Sequence, residues 1–226
     1  MPEHTTRPDS RLHIPGLDPD ATPLIGLGLS VAGLVLGIRP RLAPWPLALT
    51  AAAALLYRDP ERATPNQRDA LFAPADGVVR EVDEIYEHRF LHTEALRISI
   101  AVSPIDVPVQ RSPAAGQVSY MDYLEADQAS GWETSDKIER GPCLLIGITT
   151  PWAPLLLAVR ASALHRQIIG RVEVGQHVVA GQRLSVARFG ARVSLLVPRD
   201  LLPDPPQVGD TLRAGVTRIG SGVPLG

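Results

Sequence analysis

Lysine is almost missing from this chain: Lys137 is the only one in 226 residues, and arginine carries nearly all the positive charge. Cysteine is as scarce. With Cys143 alone, an intramolecular disulfide and a cysteine-built metal site are both excluded, which fits a reducing compartment. Aromatic residues make up only 4%, so the 45% hydrophobic content comes mainly from Ala, Val, Leu and Ile. Net charge is lacking too: a formal value of −2 offers no basic surface, and no nucleic-acid partner is expected. What the chain has in quantity is turn formers, 22 prolines and 19 glycines, which favour short strands over an all-helical fold. Its length allows a substantial core, in one large domain or a domain with an appendage.

Residues 1–20 are polar, contain proline and show no apolar periodicity, which predicts a flexible tail. Ala21 to Ile38 (ATPLIGLGLSVAGLVLGI) then carries no charge, and after Arg39-Pro40-Arg41 a second uncharged run extends from Leu42 to Tyr57. Each run approaches the roughly 20 residues of a membrane-spanning helix. The long polar tail and the immediate second run argue against a cleaved signal peptide. A membrane-anchoring helical hairpin over 21–57 is the reading preferred to a buried helix pair. A hairpin puts both flanks on one side. Arg7, Arg11, Arg58, Arg62 and Arg68 there outnumber Arg39 and Arg41, so the expectation is a cytoplasmic membrane protein with its main domain on the cytoplasmic side.

After a polar linker at 58–70, short strand-like runs alternate with Gly and Pro turns through 71–226. The one soluble helix signal lies around Ala161 to Ile169. An internal echo is also present: VGQHVVAG (Val174 to Gly181) and VGDTLRAG (Val208 to Gly215) share V-G-x-x-apolar-x-A-G. Glycines at both ends suit turns with positive φ, with the apolar residue between them facing a core. The fold expected is mostly β and barrel-sandwich-like, with hairpin units of the kind found in lipoyl and biotinyl carriers. Such carriers display an attachment lysine on a hairpin tip. Neither echo has one, so a carrier function is excluded.

Several motifs then converge: YRDPER after the apolar runs, APADGVV (Ala73 to Val79), ISIAVSPIDVPVQRSPAAGQV (Ile98 to Val118), IIGRVEVGQHVVAGQRLSVARFGARVSLLVP and VGDTLRAG. In this order and spacing the chain resembles the short bacterial and archaeal type of phosphatidylserine decarboxylase, from about Ala21 to Gly215. The resemblance implies a membrane-attached β domain acting on a phospholipid headgroup. It also implies a cofactor made from the chain itself. A serine after glycine, in a motif like R-F-G-S-R-V, attacks the preceding carbonyl in an N-to-O acyl shift. Elimination and hydrolysis then leave a pyruvoyl group on the new C-terminal fragment, which serves as electron sink when carbon dioxide leaves. An aspartate in A-D-G and a histidine in S-P-x-D-V-H assist.

Carried over one by one, the positions divide. Asp76 in PADG stands at the family aspartate, where a turn aspartate is the plain structural alternative. The histidine position is Pro108, which has no titratable nitrogen and no N–H, and Gln110 follows two residues later. The serine position is Ala191, directly after Gly190, the residue that precedes the family's cleavage bond. A methyl group cannot perform the acyl shift, so no pyruvoyl cofactor is expected in this chain. Asp106 and Arg111 match the family and are candidate substrate-binding residues, with a structural role as the plainer reading. Arg166, in HRQI (His165 to Ile168), is a candidate headgroup contact because a guanidinium fork suits phosphate, with Gln167 at the family's second arginine.

No other residue restores the missing chemistry. Ser194 falls on the opposite strand face from Ala191, and Gly220-Ser221 lies far from the site. His88 and His92 have i, i+4 spacing but sit in a stretch that reads as loop, so no metal site is expected. A serine-to-alanine change would account for Ala191 alone, not for Pro108 and Gln110. The sequence therefore reads as a degenerate, non-catalytic homologue. Its expected partner is membrane phospholipid, with an active homologue or a second copy as further candidates. The rival readings are an active headgroup decarboxylase that converts phosphatidylserine to phosphatidylethanolamine by another route, and a structural membrane-attached sandwich module.

Overall fold

A computed structural model of the chain describes residues 16–18, 20–65, 67, 69–125, 141–162 and 166–222. Nearly all of the tail expected at 1–20 lies outside the described residues, as do Arg68, Lys137 and His165. The chain divides into two compact units, 1–61 and 62–226.

In the first unit the two apolar runs form α1 (Ala21–Ile38) and α2 (Pro44–Leu56), joined through one 3-10 turn at Pro40–Leu42. Pro40 and Pro44 each stand at a helix start, where a missing N–H costs nothing. Gly28 gives the close approach between the helices, because a side chain there would strike Thr50, whose hydroxyl is turned back onto the Pro46 carbonyl at 2.7 Å. Only Ala21 and Ala32 of α1 are buried, while Leu27, Leu29, Leu34, Leu36 and Ile38 are exposed. A helix apolar on every face is built for a non-aqueous surround, and α1 is long and apolar enough to cross a membrane. The base of the pair is tied by Asp18 N–H to the Tyr57 carbonyl (2.8 Å) and Asp59 N–H to the Gly16 carbonyl (2.9 Å).

In the second unit the described strands all pair antiparallel, with one 3-10 turn at Arg199–Leu201. Its strands are β1 (Ala70–Phe72), β2 (Gly77–Glu87), β3 (Thr93–Val102), β4 (Val109–Arg111), β5 (Gly116–Leu124), β6 (Cys143–Thr149) and β7 (Pro154–Ala161), then β8 (Ile168–Gly170), β9 (His177–Val178), β10 (Arg183–Ala187), β11 (Ala191–Pro198), β12 (Thr211–Leu212) and β13 (Arg218–Ser221). Eight of them form the main sheet in the order β12-β2-β3-β11-β7-β6-β5-β9, which curls into a half-barrel. Three more, β4-β10-β8, form a second sheet, and β1 pairs with β13. The mostly β, sandwich-like reading of the sequence is thus what the chain adopts. The helix expected around Ala161 to Ile169 is not formed in the described residues: Ala161 ends β7 and Ile168 begins β8. The branched pair Ile168-Ile169 takes the extended backbone that suits it, hydrogen-bonded to β10.

Alternation along the central strands explains the core. Ile98, Ile100, Val193, Leu195, Leu155 and Leu157 point to one face and build the larger cluster. Their neighbours Leu196, Leu156, Leu145 and Ala95 join a smaller cluster on the other face. Strands buried on both sides read as continuous apolar runs, which is why SLLV and PLLLAV lack polar alternation. The two hydroxyls that this outer face does bury, Ser99 and Ser194, satisfy each other at 2.9 Å. At the far tip of the β2–β3 hairpin, the fully buried Glu87 carboxylate accepts the N–H groups of Arg89, Phe90 and Leu91. The two echo units supply β9 and β12, so they close the two opposite edges of the main sheet.

Leu195, fully buried and paired across β11–β7 with Leu157, sits at the middle of this arrangement. Leu195→Ala is expected to cost about 2–5 kcal/mol of stability, measured as a lowered midpoint in urea unfolding without change in slope.

Candidate functional site

Two of the positions singled out in the sequence, Asp76 and Ala191, lie at one end of the main sheet. Val102 closes β3, and across from it Ala191 opens β11, itself opposite Ala161 of β7. On the other side of β3, Val78 pairs with Ala101, which brings Asp76-Gly77 to the same end. Two strand spacings, about 10 Å of sheet, separate their backbone from that of Ala191. Gly77 is dictated here: its φ is +146° and a side chain would run into the Ala101 carbonyl.

The approach to Ala191 is a left-handed turn. Phe189 has φ +62° and Gly190 φ +90°, back to back. A bulky residue in that region is an outlier that its surroundings must enforce. One enforcing contact is the Ser162 hydroxyl, which donates to the Phe189 carbonyl at 3.0 Å. A side chain on Gly190 would also lie 3.2 Å from the Val102 carbonyl oxygen and 3.5 Å from Pro104. Beyond the turn Ala191 is buried in the larger apolar cluster and presents only a methyl group. Ser194 is turned to the other face, onto Ser99.

Pro108 lies among apolar side chains and backbone-directed hydrogen bonds. Pro108 is buried, flanked by Val107 and Val109, which form a small cluster with Val186 and the partly buried Ile169. Its carbonyl accepts the Ala187 N–H at 2.9 Å and the Gln110 amide at 3.0 Å. The Ser185 hydroxyl in turn donates to the Gln110 carbonyl oxygen at 2.9 Å. Gln110 thus completes a buried, satisfied network that stitches β4 to β10, and no group in it titrates near neutrality.

Asp76 is the chemically able residue that remains, and it is engaged. Arg62 grips it with both Nη atoms, at 2.5 Å to Oδ1 and 2.7 Å to Oδ2, and the Ala214 N–H donates to Oδ1 at 2.8 Å. The other expected residues do local work. Asp106 closes a turn by accepting the Ser103 N–H at 2.8 Å. Arg111 is buried, with Nη1 on the Gly181 carbonyl at 3.0 Å. Arg166 is exposed, two residues before the Ile168 that pairs with Ala187. It lies near Tyr123, whose phenol is pushed up chiefly by burial and by Glu125, with Arg166 opposing. Gly220 and Ser221 are taken up in β13, paired with Leu71 and Ala70. His88 and His92 flank the β2–β3 hairpin tip.

Two residues, Arg62 and Ser162, and the scaffold role of Gln110 escaped sequence reasoning. Arg62 stood in plain view as the last letter of YRDPER, but nothing in a single sequence couples it to Asp76. The scaffold role of Gln110 and the hydroxyl of Ser162 depend on contacts across strands, and no local pattern announces them.

The profile of the family described as "Phosphatidylserine decarboxylase" matches residues 49–220. Among the most similar relatives is the phosphatidylserine decarboxylase proenzyme of Salinibacter ruber, 38% identical over 183 residues, covering 77% of this chain and 78% of the relative. The proenzyme of Symbiobacterium thermophilum is 32% identical over 200 residues, 88% of this chain and 92% of the relative. That of Carboxydothermus hydrogenoformans is 33% identical over 166 residues, 73% and 76% of the two chains.

The enforced turn makes one expectation measurable. Gly190→Ala should lower stability by about 1–3 kcal/mol, from the positive φ together with the approach to Val102, read in thermal unfolding against the wild-type chain.

Proposed function

This chain belongs to the phosphatidylserine decarboxylase family of phospholipid metabolism, and from that premise we propose that it is a non-catalytic member, persisting as one uncut, membrane-attached chain that engages phospholipid. The observation that carries the reading is Ala191. In the family chemistry set out above, an oxygen on this side chain attacks the preceding carbonyl and later departs in the elimination. A methyl group offers neither a nucleophile nor a leaving group. Proton transfer is missing as well, because Pro108 has nothing that titrates. The residues present therefore do not fit a pyruvoyl group, and no step of this chain's function runs through one.

Two observations support the remaining parts of the proposal. The uncharged α1, with its leucines outward, supplies a membrane anchor, and the arginine excess on its flanks favours the cytoplasmic side for the β domain. Arg166, exposed beside the turn end of β10–β8, supplies a guanidinium for a phosphate headgroup.

Retention of Asp76 is the single observation on the side of residual decarboxylation. Both its oxygens are held by Arg62, with Ala214 on one of them, so the carboxylate is already engaged within the protein. Vesicles containing phosphatidylserine should release no carbon dioxide with the purified protein. Release that disappears in Asp76→Ala would favour an enzyme working by another route.

The decisive test is mass measurement on protein recovered from the native host. A single uncut species is expected, without a carbonyl-bearing fragment. Fragments meeting at Gly190–Ala191 would overturn the proposal. Ala191→Ser alone should also stay intact, since Pro108 still occupies the histidine position.

A further inference from the structure

The β unit contains a second echo, visible only once the strands are placed. FAPADGVV (Phe72 to Val79) and RSPAAGQV (Arg111 to Val118) share x-[Ala/Ser]-Pro-Ala-x-Gly-x-Val. Their contacts correspond one for one. Phe72 N–H donates to the Pro113 carbonyl (2.8 Å), and its counterpart Arg111 N–H donates to the Pro74 carbonyl (2.7 Å). Gly215 N–H donates to the Ala73 carbonyl and Gly181 N–H to the Ser112 carbonyl, both at 2.8 Å. Val79 N–H reaches the Asp210 carbonyl and Val118 N–H the Gln176 carbonyl, both at 2.9 Å. A side chain on Gly77 would meet Ala101 and Ile100, and one on Gly116 would meet Thr149 and Ile148. The main sheet has the same symmetry: β12-β2-β3-β11 from one edge corresponds to β9-β5-β6-β7 from the other. Leu195 and Leu157 face each other at its centre. The unit is two copies of one motif about an internal two-fold axis.

That symmetry provides a control on Asp76. Its counterpart is Ala115, which makes the same turn before its glycine without a carboxylate. The turn therefore does not require aspartate, and the carboxylate has another duty. Arg62 grips it and also donates to the Ala214 carbonyl at 2.9 Å. Two residues on, Thr64 packs against both Gly181 and Gly215, the counterpart glycines of the two echo units. These glycines lie against each other, since a side chain on Gly215 would be 3.1 Å from the Gly181 Cα. The segment from Arg62 to Thr64 thus runs over the place where the two halves meet.

We propose that Arg62–Thr64 is a strap across the internal two-fold axis, fastened by Asp76, which holds the duplicated halves of the β unit together. Asp76 acts in it as a positioning residue, and the strap does so whether or not the chain is catalytic. The test is timed digestion of the full chain in detergent with thermolysin, with cut sites located by mass. Arg62→Ala and Asp76→Asn should each accelerate cutting between residues 58 and 69 by at least about tenfold. The double variant should be cut no faster than the faster single one, because both changes release the same fastening. Unchanged cutting in either single variant, or multiplied rates in the double, would overturn the strap. If Arg62→Ala does not fold, Arg62→Lys replaces it, keeping the charge without the two-pronged grip. Faster cutting than wild type then supports the proposal, and an equal rate overturns it.

Discussion

The pairing of β11 with a long strand on each side is the constraint from which the rest of the β unit follows. β11 is bound to β3 along its whole length and to β7 from Ala191 to Leu196, and its buried residues point alternately into two apolar clusters. A strand so placed cannot slip by one residue, because the slip would exchange its two faces and separate Ser194 from Ser99. Its fixed register sets where β11 begins. That start puts Ala191 opposite Val102 and leaves the preceding residues to cross from the small sheet to the large one in the left-handed turn at Phe189-Gly190.

At this end of the sheet the left-handed turn, Gly77 and the carboxylate of Asp76 stand beside an alanine at position 191. The space around Pro108 is not an empty site. It is filled by valines and by the Gln110–Ser185 network. The Gln110 amide and the Ser185 hydroxyl are hydrogen-bonded within the protein.

Much of this architecture was legible in the sequence. The uncharged runs marked α1 and α2, the Gly- and Pro-bounded segments marked the strands, and the Val-Gly echo marked two turn-bounded units, whose place at the sheet edges only the structure shows. Periodicity failed between Ala161 and Ile169, where a short apolar stretch without capping residues suited helix and strand alike, and pairing with β10 decided the outcome. The grip of Arg62 on Asp76 was hidden for a different reason. An ion pair closed between a linker and a turn has no spacing rule, whereas a pair on one helix does. The second echo was masked by the very difference that makes it informative, aspartate in one copy and alanine in the other.

The bond after Gly190 has a consequence for folding that is independent of any reaction. It joins β10, in the small sheet, to β11, the middle of the large one, and everything beyond it includes β12 and β13, which pair with β2 and β1. Were the chain divided there, restoring the fold would be a bimolecular event, dependent on concentration and burdened by the lost freedom of a second body. Left whole, the same strands meet by closing loops within one molecule, at a cost that grows only slowly with loop length. For an undivided chain of this design, that search would involve no second fragment.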